Sequence, residues 1–406
     1  MLTVDAALDR LTHSLAAAKR LGADSADAIY VGDGSTGIGV RMGVLEDIGR
    51  SEGEEVGLRV FVGQRSASVS SSDLSVDALQ EAVERAVAMA REAPEDAYAG
   101  LAPAELLMHE TPRDLDIDDG GEISAEKLKD MALAAEDAAR AVAGVTNSEG
   151  GSASSGRAVM ALATSTGFAR GYHGTSYGVS ASVIAGEGTG MQRDYAYHSS
   201  RFATDLETPE SIGLRAGTRA VRRLGPIKLD TQSLPVVFDP RVGGGMLSAL
   251  IGAITGSSIA RKTSFLLDAM GTQVFAPGIR IIDQPHRLRG LRSKPFDGEG
   301  LPTAERAIID DGVLTGWLME SASARQLGLT PTGHAARGVS GPPGAGTSNL
   351  HMAAGSTSRA DMIGSIKYGL YVTEMIGMGV NGLTGDYSRG ASGFLIENGE
   401  LTVPVA

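Results

Sequence analysis

One stretch, from Val242 to Ala260, contains no ionisable side chain and directly follows a short apolar run. The run Leu234–Phe238 ends at Asp239-Pro240, which predicts a strand that stops at a turn. Apolar residues then recur at helical spacing; they are Met246, Leu247, Leu250, Ile251 and Ile254. Because a helix without charge on any face is normally packed on all sides, we expect a buried central helix here.

The amino-terminal half alternates between helical and strand periodicity. Helices are predicted over Val4–Leu21, from Ser75 to Glu92, from Ala125 to Val142 and from Pro209 to Leu224. Strands are predicted over Ala28–Val31, Thr36–Val40, Val44–Ile48 and Val56–Val62, separated by Gly-Asp-Gly and Glu-Gly-Glu turns. Residues 145–203 are rich in Gly, Ser and Thr with alternating apolar positions, which indicates an antiparallel meander.

The carboxyl-terminal half reads as further strands joined by tight turns. Two hairpins are predicted at Asp311-Gly312 and Asn398-Gly399, with short helices near Ser321 and Ser358. The length of 406 residues favours two domains. We predict an α+β protein, with an N-terminal α/β domain over residues 1–225 and a β-rich C-terminal domain over residues 226–406 that carries antiparallel strands and the buried central helix.

Charge and composition exclude several classes of function. A net charge of −13 argues against binding to nucleic acid or anionic membranes, which requires clustered Lys and Arg. The chain has no cysteine, which excludes disulfides and thiolate metal sites and fits a reducing cytoplasm. Asp5 and Asp9 interrupt the first apolar stretch, so we expect no signal peptide, and no segment is predicted to span a membrane.

Two short motifs match known patterns without the structural context that those patterns need. The run Gly377–Gly382 fits G-x-G-x-x-G, but a turn-like sequence follows where a dinucleotide site needs a helix. Ser51 and Ser176 lie in G-x-S-x-G matches, and His173 is close to Ser176 in sequence. A nucleophile elbow requires a strand, a sharp turn and a helix, whereas Ser176 lies within a predicted strand.

A polar cluster between Ile281 and Gly300 offers oxygen and imidazole ligands. Its members are Asp283, His286, Arg287, Arg289, Arg292, Asp297 and Glu299. Because the interleaved arginines oppose a cation and pair with carboxylates, a salt-bridged loop or subunit contact is favoured over a metal site.

Four segments resemble the TldD and TldE (PmbA) family, metalloprotease subunits formerly described as modulators of DNA gyrase. They are VVFDPRVGGGMLSALIGAITGSSIARKTSF, VFAPGIRIIDQPHRLRGLRSKPFDGEG, TGHAARG and GLYVTEMIGMGVNGLTGDYSRGASGFLIENGEL, all between residues 234 and 401. The resemblance is closest to the TldE branch.

In the TldD branch, the resemblance implies an HExxxH motif on the central helix, with zinc held by the two His and the Glu as general base. At the positions that correspond to the His, Glu and His of that motif, this chain has Ser248, Ala249 and Ala253. Alanine neither binds a metal nor moves a proton, and a lone serine hydroxyl is a poor zinc ligand at neutral pH. A further Cys ligand expected in the catalytic branch is missing, and the family is expected to continue beyond the position of Ala406.

The resemblance therefore implies a non-catalytic, cytoplasmic subunit that works with a TldD-like zinc-bearing partner on unfolded or linear peptides. We expect partner or peptide contacts from two segments; the candidates are Asp283, His286, Arg289, Arg292, Gly379, Asn381, Asp386 and Arg389. Pairing of an extended peptide with an exposed strand edge would tolerate varied sequences.

Two alternatives stay open from the sequence. One is an autonomous hydrolase, which acts through Ser176 with His173 or through a metal at Asp283 and His286. The other is a homodimeric binding protein that has no enzyme partner.

Overall fold

Six antiparallel strands from the amino-terminal half form the largest sheet, in the order β3-β2-β1-β4-β5-β6. The structure is a computed structural model that describes residues 1–406. The strands are β1 Ser25–Arg41, β2 Val44–Val62, β3 Arg65–Ser71, β4 Val145–Thr164, β5 Ala169–Ala185 and β6 Gln192–Ser200. The meander predicted from residue 145 is confirmed as β4, β5 and β6.

The four short strands predicted before residue 63 are two long ones. The glycine-containing segments that we expected to be turns pair with each other across β1 and β2, with Gly32 opposite Glu54 and Gly34 opposite Glu52. Each segment therefore completes the hydrogen bonds of the other, and the chain reverses only at Met42-Gly43, where both φ angles are positive.

Four helices pack on one face of this sheet: α1 Val4–Arg20, α2 Val76–Glu92, α3 Ala125–Arg140 and α4 Pro209–Arg222. They begin at the residues predicted, because Thr3, Ser75, Ser124 and Thr208 accept hydrogen bonds from the first helical turn. A Cβ atom at Gly213 would lie 2.0 Å from the carbonyl oxygen of Ala135. Only glycine therefore allows α4 to approach α3 this closely.

The carboxyl-terminal half covers part of the opposite face of the sheet. Phe296 packs edge-on against Phe168 and Tyr172, with ring centroids 5.1 and 5.5 Å apart. Beside them Asp27 is buried between two guanidinium groups, at 2.5 Å from Nη2 of Arg59 and 2.6 Å from Nη1 of Arg337. This ion cluster joins β1 and β2 to the loop after residue 336.

Two four-stranded sheets organise the carboxyl-terminal half, with orders β10-β9-β8-β13 and β16-β15-β14-β7. The strands are β7 Val236–Phe238, β8 Ile281–Asp283, β9 Arg306–Asp310, β10 Val313–Leu314, β11 Ala335–Ala336, β12 Gly344–Ala345, β13 Leu350–Met352, β14 Tyr368–Ile376, β15 Gly390–Glu397 and β16 Glu400–Val405. The helices are α5 Pro240–Ala253, α6 Gly256–Ala260, α7 Ser321–Leu327 and α8 Arg359–Gly364. Both predicted hairpins are confirmed, with positive φ angles at both turn residues.

Helix α5 is not buried on all sides, which corrects the expectation from its lack of charge. Only Leu250 and Ala253 are buried within it, whereas Met246 is 40% exposed and Ser248 is also exposed. The apolar residues near its carboxyl end pack into the core around Trp317, while its glycine-rich first turns lie at the surface. The α+β class is confirmed; the division at residues 225 and 226 stays a prediction.

The linker after α4 is tied to the end of the chain, because Ile227 exchanges backbone hydrogen bonds with Pro404 and Ala406. None of the helices is long and apolar enough to cross a lipid bilayer.

Candidate functional site

Strand β6 forms the outer edge of the six-stranded sheet, and two cavities lie between it and α5. The larger one, which we call the Ser248 cleft, has a volume of about 810 Å³. Its lining includes His198, Ser199, Ser200, Arg201, Gly244, Leu247, Ser248, Arg287, Arg289, Arg292, Asn349 and His351. The smaller one, which we call the arginine cavity, has a volume of about 310 Å³ and lies at the other end of β6.

Alternate residues of β6 turn their backbone N–H and C=O groups away from β5, because a strand at the edge of a sheet pairs on one side only. The carbonyl oxygen of Tyr195 accepts a hydrogen bond from the side chain of Arg219 at 3.2 Å, and its N–H donates to Asp194. No backbone group of β6 bonds to backbone outside the ladder with β5. The outward groups of Arg193, Tyr197 and Ser199 therefore remain available to another extended chain, whereas those of Tyr195 are already bonded to side chains.

The HExxxH positions are not gathered into a metal site. Ser248 faces the Ser248 cleft and donates its hydroxyl hydrogen bond to the carbonyl oxygen of Gly244, at 2.9 Å. Ala253 is 5% exposed and packs inward.

These residues do not fit a catalytic zinc ion. A hydroxyl whose hydrogen bond is already used within the helix and two methyl groups provide no ligand set. No three His, Asp or Glu side chains elsewhere in residues 1–406 are grouped so that they could hold a metal ion.

Asp283 and His286 do not meet, which contradicts the alternative of a metal at this pair. Asp283 is buried at the end of β8, and its carboxylate accepts hydrogen bonds from the backbone N–H and the hydroxyl of Ser348, at 2.9 and 2.7 Å. Nε2 of His334 lies 3.5 Å from Asp283. His286 instead pairs through Nε2 with the hydroxyl of Thr303 at 2.9 Å, and burial together with nearby Arg113 lowers the pKa of His286.

The other carboxylates of the polar cluster stabilise loops. Asp297 accepts three backbone N–H groups, from Glu299, Leu301 and Ala335, at 2.9 to 3.0 Å. Glu299 accepts the backbone N–H and the hydroxyl of Ser321. Each oxygen of Asp297 therefore has a donor, and Glu299 receives both of its hydrogen bonds on Oε2, so these carboxylates organise the polypeptide.

The arginines of the polar cluster line the Ser248 cleft. Arg289 has a positive φ of 55° and makes ion pairs with Asp116 at 2.6 Å and Asp205 at 3.0 Å, with its guanidinium 3.7 Å from the ring centroid of Phe202. The backbone N–H of Arg292 donates to Asn349. Arg287 completes a basic rim on this side of the cleft.

The second predicted contact segment, Gly377–Arg389, is a folded loop without a helix. The backbone of Asn381 accepts from Gly385 and donates to Asp386, and its side chain accepts from Leu383. A Cβ atom at Gly379 would lie 1.7 Å from the carbonyl oxygen of Ser388. The absence of a helix rules out the dinucleotide reading of the glycine motif.

Ser176 and His173 lie three residues apart on β5, so their side chains point to opposite faces of the sheet. His173 contacts Asp118, on the face covered by helices, whereas Ser176 lies beside Gly156. The structure therefore contradicts a catalytic pair of these two residues.

Sequence reasoning missed the edge of β6 and, apart from Arg389, the residues of the arginine cavity. Their residues come from β6, the end of α4, the start of α5, β14 and the residue before β15. No local sequence pattern brings these elements together, because their proximity arises from the packing of the two halves of the chain.

Comparison with known proteins identifies the class. Residues 26–90, 118–224 and 231–406 match, in order, domain 1, the central domain and the C-terminal domain of the PmbA/TldA metallopeptidases. The chain therefore belongs to the PmbA/TldA metallopeptidase family, which confirms the resemblance found in the sequence.

Individual relatives cover nearly the whole chain. It is 41% identical to the metalloprotease PmbA of Escherichia coli O157:H7, over 99% of this chain and 88% of that protein. A Bacteroides thetaiotaomicron protein described as a modulator of DNA gyrase has a similar structure, with a TM-score of 0.91 and 27% identity over 100% of this chain and 90% of that chain. TldE from Thermococcus kodakarensis shares the fold, with a TM-score of 0.87 and 19% identity over 97% and 89% of the two chains.

Proposed function

We propose that this chain is the non-catalytic, TldE-like subunit of a cytoplasmic TldD/TldE zinc metallopeptidase that degrades unfolded or linear peptides. One observation carries the proposal: where the catalytic branch is expected to hold HExxxH, this chain has Ser248, Ala249 and Ala253, whose side chains offer no ligand set for zinc. The metal, the general base and the bound water then come from a TldD-like partner.

The role of this chain is to hold an extended peptide at the edge of β6. The free N–H and C=O groups of the edge recognise any peptide backbone, so recognition is largely independent of sequence. The basic rim with Arg289 and Arg292 and the polar groups of the Ser248 cleft lie beside the carboxyl end of β6. A chamber that is polar and open suits an unfolded substrate of varied composition.

The partner docks on the loop Gly377–Arg389 and the adjoining surface of α5. Met378 in this loop is 94% exposed, and Ile376 and Leu383 are exposed beside it. The loop is continuous with the exposed Phe265, whose backbone N–H donates to the carbonyl oxygen of Gly382 at 2.8 Å. Exposed apolar side chains grouped in this way are typical of subunit contacts.

Co-expression with an HExxxH homologue tests the proposal. We expect a stable complex by size-exclusion chromatography that cleaves unfolded peptides, and Met378→Asp should weaken assembly about tenfold or more. Met89→Asp, on the exposed face of α2, is the matched control and should leave assembly unchanged. A stable homodimer that ignores the homologue would support the homodimeric alternative instead.

A further inference from the structure

The arginine cavity gathers more positive than negative charge. It is lined by Arg193 and Asp194 of β6, Arg223 after α4, Arg241 of α5, Glu374 of β14 and Arg389, with Tyr195, Val242, Gly245, Thr373 and Met375. Four guanidinium groups therefore face two carboxylates in a cavity of about 310 Å³.

The two carboxylates are occupied by three of the arginines. Asp194 pairs with Arg241 at 2.7 Å and with Arg223 at 3.5 Å. Glu374 pairs with Arg223 and lies 3.9 Å from Arg193, which also lies 3.5 Å from Glu149 outside the cavity. Arg389 makes no ion pair with a carboxylate; one of its Nη groups donates to the carbonyl oxygen of Gly377.

Two donors of the arginines that line this cavity are buried without any acceptor, namely Nε of Arg241 and Nε of Arg389. Buried N–H groups of charged side chains are nearly always paired, because leaving them unpaired is unfavourable. An acceptor with negative charge and two oxygens in a plane matches the fork of an arginine best.

We infer that the arginine cavity binds a carboxylate, and that this carboxylate is the carboxyl terminus of a peptide lying along β6. The cavity adjoins Arg193–Tyr195 at the start of β6, and the Ser248 cleft adjoins His198–Ser200 at its end. A peptide with its last residue in the cavity therefore runs antiparallel to β6. From Arg193 to Ser200 it spans about 23 Å in extended form.

That the carboxylate is a peptide's carboxyl terminus depends on the proposed binding of peptides along β6. That the cavity binds a carboxylate at all does not depend on that proposal. The first experiment therefore uses N-acetylglycine, which has one carboxylate and no extended backbone, and N-acetylglycinamide, which lacks the charge. Inorganic phosphate is measured in parallel, and binding to the full chain is followed by ligand-observed NMR.

We expect N-acetylglycine to bind at least about tenfold more tightly than N-acetylglycinamide, and Arg389→Gln to abolish the difference. Arg389→Lys keeps the charge without the planar fork and should lose most of the preference. Arg85→Gln, an exposed arginine on α2, is the control and should behave like the native chain. Equal binding of acid and amide, binding of phosphate alone, or a native preference in correctly folded Arg389→Gln would each overturn the carboxylate site.

The second experiment uses a fluorescent seven-residue peptide with uncharged side chains, as the free acid and as the carboxamide. We expect the acid to bind about tenfold more tightly, and Arg389→Gln to lower its affinity to that of the amide. Equal affinities, with N-acetylglycine still bound, would overturn the carboxyl terminus as the source. If neither peptide binds while N-acetylglycine does, the proposed peptide edge fails and the carboxylate site stands.

Discussion

Arg241 at the start of α5 makes a two-point ion pair with Asp194 of β6, with Nη1–Oδ1 at 2.7 Å and Nη2–Oδ2 at 3.2 Å. Asp194 is nearly fully buried, so this pair has little exposure to solvent. It fixes the first turn of α5 against the edge strand. The arginine cavity, which both residues line, depends on this contact for its shape.

Replacement of Asp194 by Asn should therefore loosen the two halves of the chain. The change leaves Arg241 and Arg223 without their shared carboxylate, and we expect a loss of about 3 kcal/mol in the free energy of unfolding. Urea unfolding followed by the fluorescence of Trp317, the only tryptophan, measures the effect. Asp130→Asn, on the exposed face of α3, should change little; equal stability of the two variants would contradict this role of Asp194.

The buried cluster of Asp27, Arg59 and Arg337 predicts that Asp27 and Arg337 are strongly coupled in their effects on the free energy of unfolding. Asp27→Asn leaves Arg337 without a carboxylate and Arg59 with only the more distant Glu299, at 4.0 Å, and should destabilise the chain by about 3 to 5 kcal/mol. The double variant Asp27→Asn/Arg337→Met removes one of these charges. It should lose less stability than the sum of the two single variants, by about 1 to 3 kcal/mol in a double-mutant cycle of urea unfolding. Simple additivity would show that the pair is not coupled.

Asp283 predicts how stability depends on pH. Burial alone would raise the pKa of Asp283, but hydrogen bonds from His334 and Ser348 outweigh burial and hold it below its usual value. Because the folded pKa lies below the unfolded value of about 3.9, the carboxylate stabilises the fold above that pH and loses this effect as the pH falls through the folded pKa.

Asp283→Asn should consequently be less stable than the native chain at pH 7, by about 2 kcal/mol, with the gap narrowing below about pH 4. Unfolding followed by Trp317 fluorescence at pH 7 and below about pH 4 measures this difference, because Trp317 and Ile281 of β8 lie in the same hydrophobic core. A stability difference between the two proteins that widens in acid would contradict the lowered pKa of Asp283.

The glycines of the loop Gly377–Arg389 offer a matched pair of variants. A Cβ atom at position 379 would lie 1.7 Å from the Ser388 carbonyl oxygen, whereas one at position 382 would lie 3.7 Å from the Thr263 carbonyl oxygen, an ordinary contact. Gly379→Ala should distort the loop and weaken assembly with an HExxxH partner about tenfold, equivalent to about 1.4 kcal/mol, while Gly382→Ala should not. Sizing and hydrogen exchange of the loop would show the difference, and equal assembly by both variants would argue against this docking surface.

Much of the fold could be predicted because its signals are local. Helix starts at Val4, Ser75 and Pro209 and hairpins at Asp311-Gly312 and Asn398-Gly399 depend on a few neighbouring residues, and each lies within one residue of where the sequence placed it. The segments around Gly32 and Gly53 were misread as turns because each is held extended by the other, a pairing that their own residues do not encode.

The candidate site was harder to predict, because it depends on contacts between distant parts of the chain. The HExxxH positions could be located by resemblance, but the exposure of Ser248 and the free edge of β6 could not. Asp283 and His286 are close in sequence, yet Asp283 finds its partners at Ser348 and His334, beyond residue 330. The lack of charge in α5 was read as burial, whereas part of its surface borders two cavities.

The most direct test measures zinc content and peptide cleavage for the purified chain alone and after assembly with an HExxxH homologue. We predict neither bound zinc nor turnover for the chain alone, and both in the complex, with turnover lost when the Glu of the homologue's HExxxH is replaced by Gln. Stoichiometric zinc with peptide cleavage by the isolated chain would contradict the proposal that its activity comes from a partner.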